Sequence, residues 1–123
     1  MIETFLSFFD LNIALLVVSG VAIGILGGAL PGISTTMTVA LIATACYTME
    51  TLHAVAFLMA AQIGSTYGGS ISATVLNIPG TPAAAATAIE GYALAKKGKA
   101  RLALGVNVFS SFMGNLIGLV LLL

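Results

Sequence analysis

Two short Pro-Gly segments interrupt long apolar stretches of the chain. Pro31-Gly32 and Pro79-Gly80 each follow an uncharged run, and a proline within a helix leaves a carbonyl one turn back without its donor. In hydrocarbon, freed backbone groups are stable only where they face protein or a water-filled cavity. Freed carbonyls attract cations and the N-termini of half-helices attract anions. We therefore predict a substrate or ion pathway lined by Pro31, Gly32, Ser34, Thr35, Thr36, Ser70, Ser72, Asn77, Pro79, Gly80 and Thr81.

The two breaks repeat the same local sequence. Superposing Leu30-Pro31-Gly32 on Ile78-Pro79-Gly80 also aligns Gly20 with Gly68, and hydroxyl or small residues follow both breaks. Either break alone is also explained by a kink that serves helix packing. The pair, with hydroxyl side chains beside each member, favours the pathway.

The residues that enzymes and metal sites require are scarce. One Cys46 and one His53 exclude a disulfide and the usual zinc ligand sets. No Ser-His-Asp set, carboxylate pair or phosphate-binding loop can be assembled, so we expect neither catalysis nor a cofactor. The only basic cluster runs from Lys96 to Arg101, which is too small a cationic surface for nucleic acid.

The composition indicates a membrane protein. Of 123 residues, 59% are hydrophobic and 7% are charged, whereas soluble domains carry roughly a quarter charged residues. We predict an all-α, polytopic transmembrane protein whose helices are interrupted, or re-entrant, at the Pro-Gly positions, in contact with membrane lipid. One transmembrane domain covers residues 1–123, with apolar segments at about 11–30, 33–48, 51–68, 69–95 and 102–123.

Segment 69–95 carries the second break near its middle. Neither arm is long enough to span a bilayer, so a re-entrant pair of half-helices is the more economical arrangement. Short cytoplasmic loops collect Lys and Arg, so the cluster Lys96–Arg101 should be cytoplasmic and the first ten residues, which have no Lys or Arg, should lie outside. Glu90, close to the basic cluster, is expected at the interface rather than deep in the membrane.

Glycines at intervals of four residues predict close helix packing, because a missing side chain lets a neighbouring backbone approach. The apolar segment 11–30 contains three such positions and the segment 102–123 contains two. The predicted packing residues are Gly20, Gly24, Gly28, Gly114 and Gly118.

Several motifs together resemble one transporter family. They are Gly24-Ile-Leu-Gly-Gly-Ala-Leu-Pro-Gly32, Tyr67-Gly-Gly-Ser70, Leu76-Asn-Ile-Pro-Gly-Thr-Pro82, Glu90-Gly-Tyr-Ala-Leu-Ala95 and Gly98-Lys-Ala-Arg-Leu-Ala103. In this order they are similar to the first part of the large membrane subunit of tripartite tricarboxylate transporters, the TctA-type permeases. The resemblance implies that the chain corresponds to the N-terminal portion of a longer permease.

The resemblance also implies a function, a location and partners. It implies a multi-pass protein of the bacterial cytoplasmic (inner) membrane that imports organic carboxylates of the tricarboxylate type by symport with sodium or protons. The implied partners are a small membrane subunit and a periplasmic solute-binding protein. The residues by themselves leave open a small helical scaffold or assembly subunit, and an inactive permease fragment that moves no solute. A passive channel ranks last, because it requires polar residues at regular helical spacing and the polar residues cluster at the breaks.

Overall fold

A computed structural model describes residues 11–123, which form five α-helices and no strand. The helices are α1 (Leu11–Ala29), α2 (Thr35–Ala45), α3 (Thr51–Leu76), α4 (Ala84–Lys96) and α5 (Ala100–Leu122), and a 3-10 turn, Cys46–Thr48, follows α2. The all-helical fold predicted from the sequence is confirmed for this part of the chain. The first ten residues, which we expect on the outer side of the membrane, lie beyond the described range.

Two helices, α1 and α5, are long and apolar enough to cross a membrane. They contain 19 and 23 residues with mean hydropathies of 2.2 and 1.7 in their most apolar windows, and α1 measures about 28 Å at 1.5 Å per residue. The hydrocarbon core is roughly 30 Å thick, so either helix can span it. The helix α4, with 13 residues, measures only about 20 Å and is too short.

The helix α3 is longer than the sequence analysis expected. It runs for 26 residues from Thr51 to Leu76 without interruption, whereas the expected segment boundary lies between residues 68 and 69. Gly68 and Gly69 are buried against other parts of the protein. A helical glycine costs about 1 kcal/mol relative to alanine, and close packing at both positions offsets that cost, so the helix continues through them.

The helix α3 is the centre of the fold. It packs most extensively against α1, and it also contacts α2, α4 and α5. Its buried face consists of small residues: Ala61, Ser65, Ala73 and Thr74 are fully buried. Large apolar side chains on α1 and α5 instead point outward, which is the arrangement expected where the solvent is lipid.

Candidate functional site

The first loop, Leu30–Ser34, forms because the helix α1 cannot continue through Pro31. The N–H of Leu30 bonds the carbonyl of Gly27 at 3.3 Å, a bond that Pro31 cannot provide. Gly32 then takes φ +92°, a left-handed conformation that costs glycine no steric penalty. Both Pro31 and Gly32 are exposed, and nothing lies within 4 Å of a Cβ built on Gly32.

Ser34 starts the next helix, α2. Its Oγ accepts a hydrogen bond from the backbone N–H of Met37 at 3.2 Å, which is an N-cap bond. Its carbonyl accepts from both the backbone N–H and the hydroxyl of Thr38, at 3.0 and 3.2 Å. The Oγ1 of Thr35 is buried without a hydrogen-bond partner among residues 11–123, and Thr36 is exposed.

The second loop, residues 77–83, joins α3 to α4. Asn77 ends α3 in a left-handed conformation (φ 59°, ψ 28°), and its N–H bonds the carbonyl of Ala73 at 3.1 Å. Thr81 supports the start of α4, because its Oγ1 and its carbonyl both accept from the N–H of Ala84, at 3.2 and 3.0 Å. Asn77 and Pro79 are exposed. The polar residues of this loop therefore hold the ends of two helices while part of the loop remains accessible.

Gly80 brings the second loop to the end of α1. A Cβ built on Gly80 would lie 3.2 Å from the Cα of Gly69, 3.3 Å from the carbonyl oxygen of Gly28 and 3.6 Å from the Oγ of Ser72. Ser72 is buried and donates to the carbonyl of Gly69 at 2.9 Å. Thr81 lies against Gly69 as well, with its Cγ2 3.3 Å from a Cβ built there. Three of the predicted pathway residues, Ser72, Gly80 and Thr81, thus meet where α1 ends.

The predicted packing glycines fall into two groups. A Cβ on Gly24 or Gly28 would overlap the carbonyl of Ala61 or Ser65 in α3, and Gly20 would press against Phe57. The same holds in the other direction: a Cβ on Gly64 or Gly68 of α3 would overlap a carbonyl of α1. The backbones of α1 and α3 are therefore in direct contact. By contrast, no atom of the described residues lies within 4 Å of a Cβ at Gly114 or Gly118.

A groove of about 680 Å³ lies between α1, α3 and α5, a volume within the range of roughly 300–1,000 Å³ that is typical of small-molecule sites. We call it the α3–α5 groove. Polar residues line it at helical spacing: Gln62, Thr66 and Ser70 on α3, and Asn107, Ser111 and Asn115 on α5. Apolar residues complete the wall, among them Val21, Ile25 and Phe112.

These two polar rows are the feature that the sequence analysis missed. It attributed the polar residues to the breaks, but six of them recur every four residues and so share one face of each helix. That interval was readable in the sequence. What the sequence did not show is that the two faces line the same groove. Ser70, predicted beside the second break, belongs to this groove.

A smaller groove of about 250 Å³, the α4–α5 groove, adjoins the first one. Its lining includes Thr87 and Glu90 on α4 and Asn107 on α5, so Asn107 belongs to both grooves. Glu90 is exposed. On the next turn, the ammonium of Lys96 lies 4.8 Å from the centre of the Tyr92 ring.

The described residues thus form a helical protein in which two apolar helices are long enough to cross a membrane, a feature that membrane transport proteins share. Comparison with known proteins gives the family. Residues 14–123 match the family described as the tripartite tricarboxylate transporter TctA family, and the chain therefore belongs to it. This is a transporter family and not an enzyme family, which confirms the expectation of no catalysis.

One curated relative is similar over most of the chain. It is an uncharacterized 52.8 kDa protein in the TAR-I ttuC' 3' region of Agrobacterium vitis, 38% identical over 103 residues. The aligned part covers 84% of this chain and 20% of the relative, so the chain spans about a fifth of that relative's length. No solved structure matches the chain significantly.

Proposed function

We propose that the chain is part of the membrane permease of a secondary transporter that imports organic carboxylates of the tricarboxylate type. The observation that carries the proposal is the contact of the second Pro-Gly loop, at Gly80, with the last turn of α1, at Gly28, just before the first Pro-Gly break, in a chain of the TctA family. The solute passes beside this contact, between the two Pro-Gly breaks. Many secondary transporters bind solutes where interrupted helices meet near the middle of the membrane.

The two loops can bind an anionic solute through neutral donors, so the site needs no buried Lys or Arg. The first N–H groups of α2 and α4 have no helical acceptor, and aligned amides at a helix N-terminus carry partial positive charge. The hydroxyls of Ser34, Thr35 and Thr36 at α2, and of Thr81 before α4, stand beside those groups. Asn77 adds an exposed amide. A carboxylate is thus held by neutral donors, and sodium or a proton supplies the driving force.

Membership of the TctA family also suggests which membrane the chain occupies and which proteins it works with. We propose a multi-pass protein of the bacterial inner membrane that works with a small membrane subunit and a periplasmic solute-binding protein. Lys96–Arg101 faces the cytoplasm, because short cytoplasmic loops collect basic residues. The second loop, between a long helix and one too short to span, forms the tip of a re-entrant segment.

Cysteine accessibility in membranes tests the pathway. Single cysteines replace Ser34, Asn77 or Ser72 in a Cys46→Ala background, and a small water-soluble thiol reagent is applied with and without citrate and sodium. We expect labelling at positions 34 and 77, both exposed, to be slowed by citrate with sodium, and position 72, which is 2% exposed, to label poorly. Thr48→Cys, in the connection before α3, is the control and should label equally in both conditions.

The alternative is a helical scaffold that moves no solute. One observation favours it: Gly114 and Gly118 on α5 face open space within the described part of the chain and so remain free for a partner helix. Labelling at positions 34 and 77 that is indifferent to citrate and sodium would support the scaffold and count against the transport pathway.

A further inference from the structure

The connection between α4 and α5 concentrates positive charge on the surface. Residues 96–101, which we call the basic turn, contain four exposed cations: Lys96, Lys97, Lys99 and Arg101. The ion pair found among residues 11–123 lies elsewhere and joins His53 to Glu50. No acidic side chain in the described part of the chain therefore neutralises the basic turn.

The backbone of the basic turn adds to this positive charge. The N–H of Lys99 bonds the carbonyl of Leu94 at 3.0 Å. Gly98, with φ +76°, donates its N–H to the carbonyl of Ala95 at 2.9 Å, so two carbonyls at the end of α4 are engaged. The first N–H groups of α5 have no acceptor within the helix, and Lys99 at its N-cap supplies none. Cations at this positive end of a helix dipole are unfavourable, and a bound anion would relieve that cost.

The basic turn lies at the edge of an apolar span. No charged residue follows Arg101, and at 1.5 Å per residue the four cations stand within about 10 Å of the first turn of that span. The ammonium of Lys96 lies 4.8 Å from the centre of the Tyr92 ring, and Tyr is enriched at the membrane–water interface. In a bilayer, the basic turn therefore lies at the depth of the lipid headgroups.

We propose that the basic turn binds the headgroup of an anionic phospholipid, with the lipid phosphate between the end of α4 and the start of α5. Charge complementarity favours this occupant, because clusters of four or more Lys and Arg beside a membrane helix attract anionic lipids. Lipid phosphate is also the anion that a bilayer holds at this depth. The proposal goes beyond solute transport and requires only that the chain lies in a membrane.

Fluorescence quenching by brominated lipids tests the proposal. The chain contains no Trp, so one introduced Trp reports on the lipids beside it. Tyr92→Trp keeps an aromatic ring beside Lys96. Tyr47→Trp is the matched control probe, because Tyr47 is 93% exposed and no Lys or Arg is near it in the sequence. Each variant is reconstituted in vesicles of phosphatidylcholine and phosphatidylglycerol in equal amounts, with dibrominated acyl chains on one lipid or on the other.

The expected result is a preference for the anionic lipid at one probe only. At Tyr92→Trp we expect about fivefold or greater preference for phosphatidylglycerol, which is the effect of one Lys near an anionic surface. At Tyr47→Trp the two brominated lipids should quench equally. Raising KCl to about 1 M shortens the Debye length to about 3 Å and should reduce the preference. Inorganic phosphate at the same ionic strength should reduce it no further than KCl does.

Two pairs of substitutions in the Tyr92→Trp chain assign the effect to the basic turn. Lys97→Gln with Lys99→Gln removes two positive charges and should lower the preference to less than about twofold. Lys97→Arg with Lys99→Arg keeps both charges and should retain the preference. Both residues are exposed, so neither pair disturbs packing, and circular dichroism checks that each variant is folded.

Equal quenching of Tyr92→Trp by the two brominated lipids would overturn the proposal and would leave the four cations to an acidic segment of a partner protein. A preference that survives Lys97→Gln with Lys99→Gln would also overturn it. A larger loss with inorganic phosphate than with KCl would show that the turn binds a free anion instead of a lipid. Because citrate is absent throughout, a lipid preference without citrate protection would contradict only the carboxylate pathway.

Discussion

The carbonyl oxygen of Gly28 lies 3.3 Å from the position that a Cβ would occupy at Gly80. Gly28 stands just before the first Pro-Gly break and Gly80 belongs to the second, so this contact joins two segments that are far apart in the chain. In the last turn of a helix the carbonyls have no donor within the helix. The second loop therefore covers a polar end of α1, and a side chain at Gly80 would make that approach tighter than an ordinary contact.

The contact between α1 and α3 predicts a strong effect of a single methyl group. Gly28→Ala places a Cβ on the carbonyl of Ser65, and overpacking of this kind costs roughly 1–3 kcal/mol because the backbones must separate. Thermal unfolding in detergent, followed by circular dichroism, should show a lower midpoint. Gly114→Ala, where nothing lies within 4 Å, is the control and should be neutral or stabilising by up to about 1 kcal/mol. Equal midpoints for the two variants would contradict the close contact.

The position of the second loop on α3 is testable by cross-linking. A Cβ at Gly69 lies 3.3 Å from the Cγ2 of Thr81, a γ position that the Sγ of a cysteine could occupy, so the two side chains are close enough for a disulfide. In a Cys46→Ala background, Gly69→Cys with Thr81→Cys should oxidise rapidly in membranes, which shows as a thiol-sensitive shift in gel mobility. Gly114→Cys with Thr81→Cys should not form an intramolecular bond. Failure of the first pair to oxidise would place the loop elsewhere.

The buried hydroxyl of Thr74 predicts a stabilising substitution. Its Oγ1 is fully buried between α3 and Gly91 of α4 and has no hydrogen-bond partner within the described part of the protein. Thr74→Val keeps the shape and removes the unfilled polar group, so we expect a gain of roughly 1 kcal/mol in the free energy of unfolding. Ser72→Ala, which loses the bond to the carbonyl of Gly69, should instead lose about 1 kcal/mol. Destabilisation by Thr74→Val would indicate that this hydroxyl has a partner after all.

The cap of α2 predicts a local effect at the first loop. Ser34→Ala removes the acceptor for the N–H of Met37, and loss of an N-cap costs typically about 1 kcal/mol. Amide hydrogen exchange should accelerate at Met37 and Thr38 while the amides of α5 stay unchanged. Ser34→Asp retains an acceptor and should restore protection; if it does not, the cap is not what orders this turn.

The ends of the helices at the two loops could largely be predicted from the sequence. Proline has no N–H and glycine accepts positive φ, so a break at Pro31-Gly32 follows from local chemistry, and α1 ends at Ala29. The end of α3 is also local, since Asn77 readily takes the left-handed conformation. The boundary near Gly68 and Gly69 could not be predicted, because a glycine in a helix is tolerated or not according to what packs on it.

The glycines of α1 and α5 show the same limit. Both helices repeat small residues every four positions, and the sequence gives no reason to separate them. In the structure, Gly24 and Gly28 touch the backbone of α3, while Gly114 and Gly118 face open space in the described residues. The difference depends on whether a second helix is present at the right distance, which is a property of the assembled chain.

Sequence alone determined that this is an apolar helical chain and predicted an interruption at each Pro-Gly position, because composition, proline chemistry and glycine spacing are local properties. The sequence motifs also indicated the transporter family. Tertiary structure decided that the second loop contacts the last turn of α1 at Gly28 and Gly80, and that Thr66 and Ser111 line the same groove. Those pairings join residues distant in sequence, and the packing of small side chains at helix interfaces selects them, which no local pattern encodes.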